Sequence, residues 1–261
     1  MKHLTVVGSC RIHAPMQTVA KQGLLSLDNC GTRGYVHSLS EIIQLLRFLR
    51  GEEALSSSIL PFIPFECLED LHNSGPVFHG NTEKFVVEVC SIKEFRINGQ
   101  YIQMNLLFEK IRSYKMEEDY FNLCERINSS PGIFCPFSVL QKTAPEGIKK
   151  FFASLEGISL TQEQVCTKLK ELQRLLKRPL AIVTHIELDE HEEDLTVSLY
   201  QRSAGVAFLR EAGKQLKIPV IEPGVFVKRI GKDILMQQGS TTHYKPEANI
   251  IMGKWFLRQL E

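Results

Sequence analysis

Short runs of almost unbroken apolar residues alternate along this chain with stretches whose apolar positions recur every three or four residues. The runs fall at 3–7, 24–27, 85–89, 180–184 and 218–221. Rich in Val, Ile and Leu and without in–out alternation, they carry the pattern of strands buried on both faces of a parallel sheet. The intervening stretches read as helices. Pro15 suits the first turn of a helix running toward Gln22, where a missing amide costs nothing. Ser38-Leu39-Ser40-Glu41 forms a capping box ahead of an apolar helix that Gly51 would stop. A second box, Thr161-Gln162-Glu163-Gln164, opens a helix carrying Val165, Leu169, Leu172 and Leu176 until Pro179. A further helix spans 202–217, and a last one starts at Pro246 and carries Ile250, Ile251, Trp255, Phe256 and Leu260. Strands alternating with helices predict an α/β fold with a doubly wound, five-stranded parallel sheet.

Two segments exceed that minimal plan. Residues 52–82 are rich in Ser and Pro, and 95–158 is too long for one crossover. The second contains amphipathic stretches, 101–124 among them. It predicts a helical insertion within a single domain of 1–261, either capping the carboxyl edge of the sheet or completing the core from the side.

Composition narrows the chemistry. With 261 residues, 43% apolar and 23% charged, the chain can bury a full core. A net charge of +1 leaves no basic footprint for nucleic acid. Seven cysteines, an odd number without a CxxC pair or Cys/His ligand spacing, read as reduced thiols of a cytosolic protein with no metal site. The first apolar run is too short for a signal segment, and no stretch nears the roughly 18 residues of a spanning helix. The expectation is a soluble, cytoplasmic protein with no membrane insertion, acting on a small-molecule or carbohydrate substrate.

A parallel sheet would gather four loops at one edge, where ligands bind in open α/β folds. They are Gly8-Ser9-Cys10 after the first strand, 29–38 after the second, Cys90-Ser91 after the third, and Thr242-His243-Tyr244 before the last helix. In order and context these blocks resemble the SGNH (GDSL-like) hydrolase superfamily, and Gly-Ser-Cys resembles its GSCFA and WcbI-like polysaccharide-biosynthesis branches. The resemblance implies a flavodoxin-like strand order. It places Cys10 at the serine nucleophile position, Ser9 where the family has Asp, Gly34 as an oxyanion-hole amide and His243 as the general base. Two departures stand out. The block-three Asn-Asp is Cys90-Ser91, leaving Ser91 as the side-chain donor, and the block-five acid is Ser240.

A cysteine suits that altered setting. Amides and dipole at a helix N-terminus stabilise a thiolate, and a thiol needs an orienting acid less than a hydroxyl does. The implied activity is acyl transfer or ester and thioester hydrolysis, as in a carbohydrate acyltransferase or esterase of polysaccharide biosynthesis. No cofactor is required, and coenzyme A is compatible as an acyl carrier, although no motif demonstrates it.

The remaining candidates carry two readings each. Arg11 and His13 follow the nucleophile and can bind an anion or simply face solvent. His37 and His185 lie at the same edge as substrate contacts or as structural histidines. Glu88 interrupts a buried strand and needs a partner, for which Lys93 and Arg96 are the nearest cations in sequence. Glu222 either orients His243 or serves a surface turn, and 189–194 reads as a solvated acidic loop. Two other functions stay open: a catalytically degenerate binding or scaffold protein, and a redox-sensing thiol in which Cys30 or Cys90 resolves Cys10.

Overall fold

The structure, a computed structural model, describes residues 2–28, 36–63, 82–138, 146–187, 196–238 and 243–261, with 196–201 described by backbone alone. Five strands form one wholly parallel sheet: β1 (His3–Val7), β2 (Ser26–Asp28), β3 (Lys84–Val89), β8 (Leu180–Thr184) and β9 (Val220–Ile221). Their order is β2-β1-β3-β8-β9. Counted within this sheet that is 2-1-3-4-5, the flavodoxin-like arrangement, with its switch point between β1 and β3.

The unbroken apolar runs follow from burial on both faces. Val7, Val87 and Ile182 join one hydrophobic cluster with the helices α2 (Leu39–Leu49) and α6 (Gln162–Leu176). The alternate residues Val6, Val86 and Val183 join another with α1 (Cys10–Lys21) and α10 (Asn249–Gln259). The two terminal helices pack closely because Gly253 meets the backbone of α1. A Cβ there would lie 2.5 Å from the Pro15 carbonyl oxygen.

Helix boundaries bear out the capping logic with two corrections. Thr161 and Gln164 close a complete box. Ser38 caps α2, but Glu41 reaches past the cap residue to the His37 amide, 3.2 Å away. Pro15 is not in the first turn. Ser9 caps α1, whose first residue is Cys10, so Pro15 sits within the helix and forgoes the bond to the Arg11 carbonyl.

The long insertion holds more than helices. β4 (Lys93–Ile97), β5 (Gln100–Ile102), β6 (Cys135–Pro136) and β7 (Leu155–Ser159) form an antiparallel sheet in the order β5-β4-β7-β6. Beside them lie α3 (Met104–Ser113), α4 (Glu117–Ser129) and α5 (Glu146–Phe152). These strands are two to five residues long, too short to stand out from amphipathic helix patterns. Phe95, Leu107, Leu123 and Phe152 continue the hydrophobic cluster that begins on the parallel sheet, so the insertion shares its core. Only Cys90, Ser91 and Ile92 separate β3 from β4. The insertion therefore starts at the carboxyl edge of the central strand.

Candidate active site

Each parallel strand delivers its next residues to that edge. β1 delivers Ser9, Cys10 and Arg11, β3 delivers Cys90 and Ser91, and β8 delivers His185. These line a cavity of about 420 Å³ together with His37, Lys93, Arg202, His243 and the insertion's Gln103, Met104 and Asn105. Its volume lies in the range of small-molecule sites.

A buried ion pair forms its floor. Glu88 is 1% exposed. Its Oε2 accepts from the Ser9 amide at 2.8 Å and the Ser9 hydroxyl at 2.6 Å, and its Oε1 accepts from Arg11 Nε at 2.8 Å. Burial alone would raise this carboxyl. The Arg11 guanidinium and the Ser9 donors outweigh burial and hold it below the ordinary range. The partner is therefore Arg11, not Lys93 or Arg96, and Arg96 instead pairs with Glu156 at 2.7 Å. Gly8 makes room for the pair. It has φ +154°, and a Cβ would come within 2.5 Å of Glu88 Cβ.

Each of the three nitrogens of Arg11 has a partner. One terminal nitrogen lies 2.8 Å from His185 Nε2, and the other donates to Cys90 Sγ at 2.9 Å. His185 Nδ1 lies 2.7 Å from the Ile186 carbonyl, which can only accept. The proton is thus on Nδ1, and Nε2 accepts from Arg11. Burial and Arg11 push His185 well below its usual range, keeping it neutral. Both ring nitrogens of His185 are thus engaged, and His13 is not on the cavity wall.

Cys10 is half-buried at the first position of α1. Burial pushes its thiol up from the ordinary value, and Glu88 adds to this. Arg11 and the amides of Cys10 and Arg11 pull down without prevailing. The expected thiolate stabilisation is present, but it counts the amides and dipole and omits desolvation, which wins. Cys10 therefore rests as a thiol and needs a base.

Three imidazoles face the cavity. His185 is locked, and His37 is depressed to about 4, chiefly by burial and then by Arg11. His243 is the solvent-exposed one. Bonds from Gln237 N–H to the His243 carbonyl and from Lys245 N–H to the Leu235 carbonyl, both 2.9 Å, pin the backbone around it. The next residue, Tyr244, turns inward, and its buried hydroxyl has no hydrogen-bond partner among the described residues.

The second and third blocks are stitched together. The His37 carbonyl accepts from the Cys90 and Ser91 amides at 2.8 and 3.2 Å. The Ser91 hydroxyl accepts from the Lys93 amide at 2.9 Å and donates to the Lys93 carbonyl at 3.2 Å, so its proton serves a local turn. Gly34, Cys30, the acidic loop at 189–194 and Ser240 lie outside the described residues. Glu222 takes the surface role, pairing with Arg210 at 2.6 and 2.8 Å.

Sequence reasoning offered the insertion as a cap over this edge but named none of the residues it places on the wall, Gln103, Met104 and Asn105. The one signal was Gln103, whose Oε1 caps α3 at the Leu106 amide. It also missed two buried acids beside the site. Glu94 accepts from the Ser40 amide and hydroxyl at 2.9 and 2.8 Å and faces Lys168 at 3.5 Å. Glu41 is raised to about 8, mainly by burial, with Glu94 adding to it against the His37 amide and Ser38.

Glu41 makes stability depend on pH. An acid raised by folding contributes stability below its unfolded value that is lost as pH rises through about 8. His37 has the opposite sign, its contribution being lost as pH falls from 6.5 through about 4. Between pH 6.5 and 8 the Glu41 slope therefore acts without His37. Urea unfolding at these two pH values should show wild type losing about 2 kcal/mol relative to Glu41→Gln, at roughly 1.4 kcal/mol per pH unit for one proton. Parallel curves for the two proteins would contradict a protonated Glu41.

Residues 2–259 match the sequence profile of the TviD N-terminal domain. Over 249 residues the chain is 19% identical to the Vi polysaccharide biosynthesis protein TviD of Salmonella typhi, covering 92% of this chain and 29% of that protein. The chain thus spans under a third of this relative's length. Among solved structures, a catalytic mutant of an acetylxylan esterase from Geobacillus stearothermophilus aligns with TM-score 0.41 at 9% identity, covering 99% of this chain and 94% of that one. An aryl esterase from M. smegmatis aligns at TM-score 0.33 and 10% identity, covering 100% and 98%. Both scores are too low to carry an inference, and the fold class rests on the strand order.

Proposed function

Since the chain belongs to the TviD N-terminal domain family, we propose that it transfers or hydrolyses an acyl group with Cys10 as nucleophile and His243 as general base, acting on a carbohydrate in polysaccharide biosynthesis. One observation carries this reading: Cys10, on the first turn of the first helix, and His243, from near the other end of the sequence, line one cavity at the sheet's switch point. The pathway part of the reading draws on what the matched TviD protein is described as doing.

The residues divide the work as follows. His243 takes the Cys10 proton as the sulfur attacks the acyl carbonyl carbon. The displaced alkoxide or thiolate leaves with the proton returned by the imidazolium, and Cys10 holds a thioester. An acceptor hydroxyl or water then gives its proton to His243, attacks the thioester carbon and releases the thiol. The Cys10 amide faces the oxyanion formed in both steps, and Gly34 is the proposed second donor. A thiol held above its ordinary pKa makes the imidazole necessary, and the two other cavity histidines are unsuited to it. Coenzyme A or another thioester is the proposed acyl donor.

Incubation with an activated acetyl ester or acetyl-coenzyme A, followed by intact-protein mass spectrometry and peptide mapping, should find one acetyl group on Cys10. His243→Ala should slow its formation by about 10²-fold or more. Acetylation spread over lysines, or unchanged by His243→Ala, would count against this mechanism.

A further inference from the structure

Tyr244 sits where the chain passes from the cavity into the core. It bridges Met236 in antiparallel pairing, within the backbone bonds that pin 235–237 against 243–245. Successive side chains of an extended stretch point to opposite sides. His243 is accordingly exposed and lines the cavity, while Tyr244 is 6% exposed and joins the hydrophobic cluster of Val6, Ile12, Met16 and Val183.

The ring accounts for that burial, but the hydroxyl does not. It has no hydrogen-bond partner among the described residues. A phenylalanine would fill the same space without the cost of an unpaired hydroxyl among apolar side chains. Among the described residues, the ionisable groups that bear on the hydroxyl are Glu88 of β3, and Arg11 and Cys10 at the start of α1. Glu88 is already ionised at rest and would hold the hydroxyl now if it were the acceptor, and Arg11 has no acceptor to offer. Of the three, Cys10 alone changes, from a weakly accepting thiol to a strongly accepting thiolate. We propose that Tyr244 is a second catalytic residue of the His243 loop, its hydroxyl donating a hydrogen bond to the Cys10 sulfur when His243 removes the thiol proton.

This role rests on Cys10 as the nucleophile, while the hydrogen bond itself needs only an ionised sulfur. Burial, with Glu88 and Cys10 adding and Arg11 opposing, holds the phenol above its ordinary value, so Tyr244 keeps its proton throughout. The thiol proton goes to His243, and nothing is transferred to or from the tyrosine. A donor left unpaired beside the thiol and paired beside the thiolate stabilises the charged state alone. It offsets part of the desolvation that raises Cys10, in a site where the Ser91 hydroxyl is spent on its own turn.

Alkylation of Cys10 by iodoacetamide as a function of pH, read by peptide mapping of the full chain, tests the proposal. Tyr244→Phe should move the midpoint for Cys10 up by about one pH unit, the ten-fold counterpart of a hydrogen bond to a charged group. The rate near neutral pH should fall only about three-fold, because a thiolate of higher pKa is intrinsically more nucleophilic. The variant should melt no lower than wild type, since it loses no bond of the resting protein. Tyr120→Phe, which removes a buried hydroxyl elsewhere in the core, should leave Cys10 alkylation unchanged. Biosynthetic incorporation of 3-fluorotyrosine, a stronger phenol donor, should move the midpoint down, which keeps the question answerable should Tyr244→Phe not fold. A Tyr244→Phe midpoint within about 0.3 pH unit of wild type would overturn the proposal, as would an equal shift in Tyr120→Phe or an unmoved midpoint with 3-fluorotyrosine. Full activity in Cys10→Ala would remove Cys10 as the nucleophile and leave the alkylation result standing, so the two readings fail separately.

Discussion

Glu88→Gln should lower the thermal midpoint by roughly 10 °C, the counterpart of about 3–5 kcal/mol for breaking a buried ion pair in a domain of this size. The carboxylate has four demands on it: the Ser9 amide, the Ser9 hydroxyl, Arg11 Nε and the Arg11 charge. A glutamine offers one acceptor oxygen, and its amide nitrogen would then face either Arg11 or the Ser9 amide, donor against donor. Arg11 would be left as a buried cation with an acceptor only in His185 and a weak one in Cys90. Adding Arg11→Met should recover part of the loss by removing the orphaned charge. Urea or thermal unfolding measures both variants. A Glu88→Gln midpoint within about 2 °C of wild type would sink the view of this pair as the floor of the site.

Cys10→Ala should cost about 10³-fold or more in kcat, because no other described side chain on the wall combines a nucleophilic atom with this position on the helix start. Cys90 cannot substitute, since burial and Glu88 raise its thiol far above the ordinary value and Arg11 already donates to it. The resting state of Cys10 supplies a second readout. With its thiol raised above the ordinary value by burial, iodoacetamide should label Cys10 more slowly than free cysteine near neutral pH and catch up only in alkaline solution. Full activity in Cys10→Ala would rule out Cys10 as the nucleophile. Fast labelling at neutral pH would instead mean that the helix amides outweigh burial.

Three of the five strands of the parallel sheet could be placed closely from their nearly unbroken apolar runs, because burial on both faces leaves few polar positions to blur them. β2 and β9 are shorter than their runs. Leu24, counted in the second run, is 46% exposed, because the chain is still leaving α1 there. The capping residues Ser38 and Thr161 marked helix starts by chemistry local to one turn. Pro15 misled for the opposite reason: Ser9, committed to Glu88 in another strand, starts α1 earlier than local propensity suggests.

Local pattern and block order, then, determined the doubly wound class, the carboxyl edge as the place to look, and Cys10 and His243 as residues to bring there. What they could not determine was every property set by groups distant in sequence. Arg11 looked available for substrate until Glu88, 77 positions away, His185, 174 away, and Cys90 each took one of its three nitrogens. Cys10 looked activated until its burial was known. Lys93 and Arg202 are 109 positions apart and line one cavity only because the insertion and the helix Thr196–Leu216 both reach the sheet edge. Spacing encodes which face of a helix or strand a residue takes. Desolvation and charge pairing depend on what the fold packs against it, and only the tertiary structure decided those.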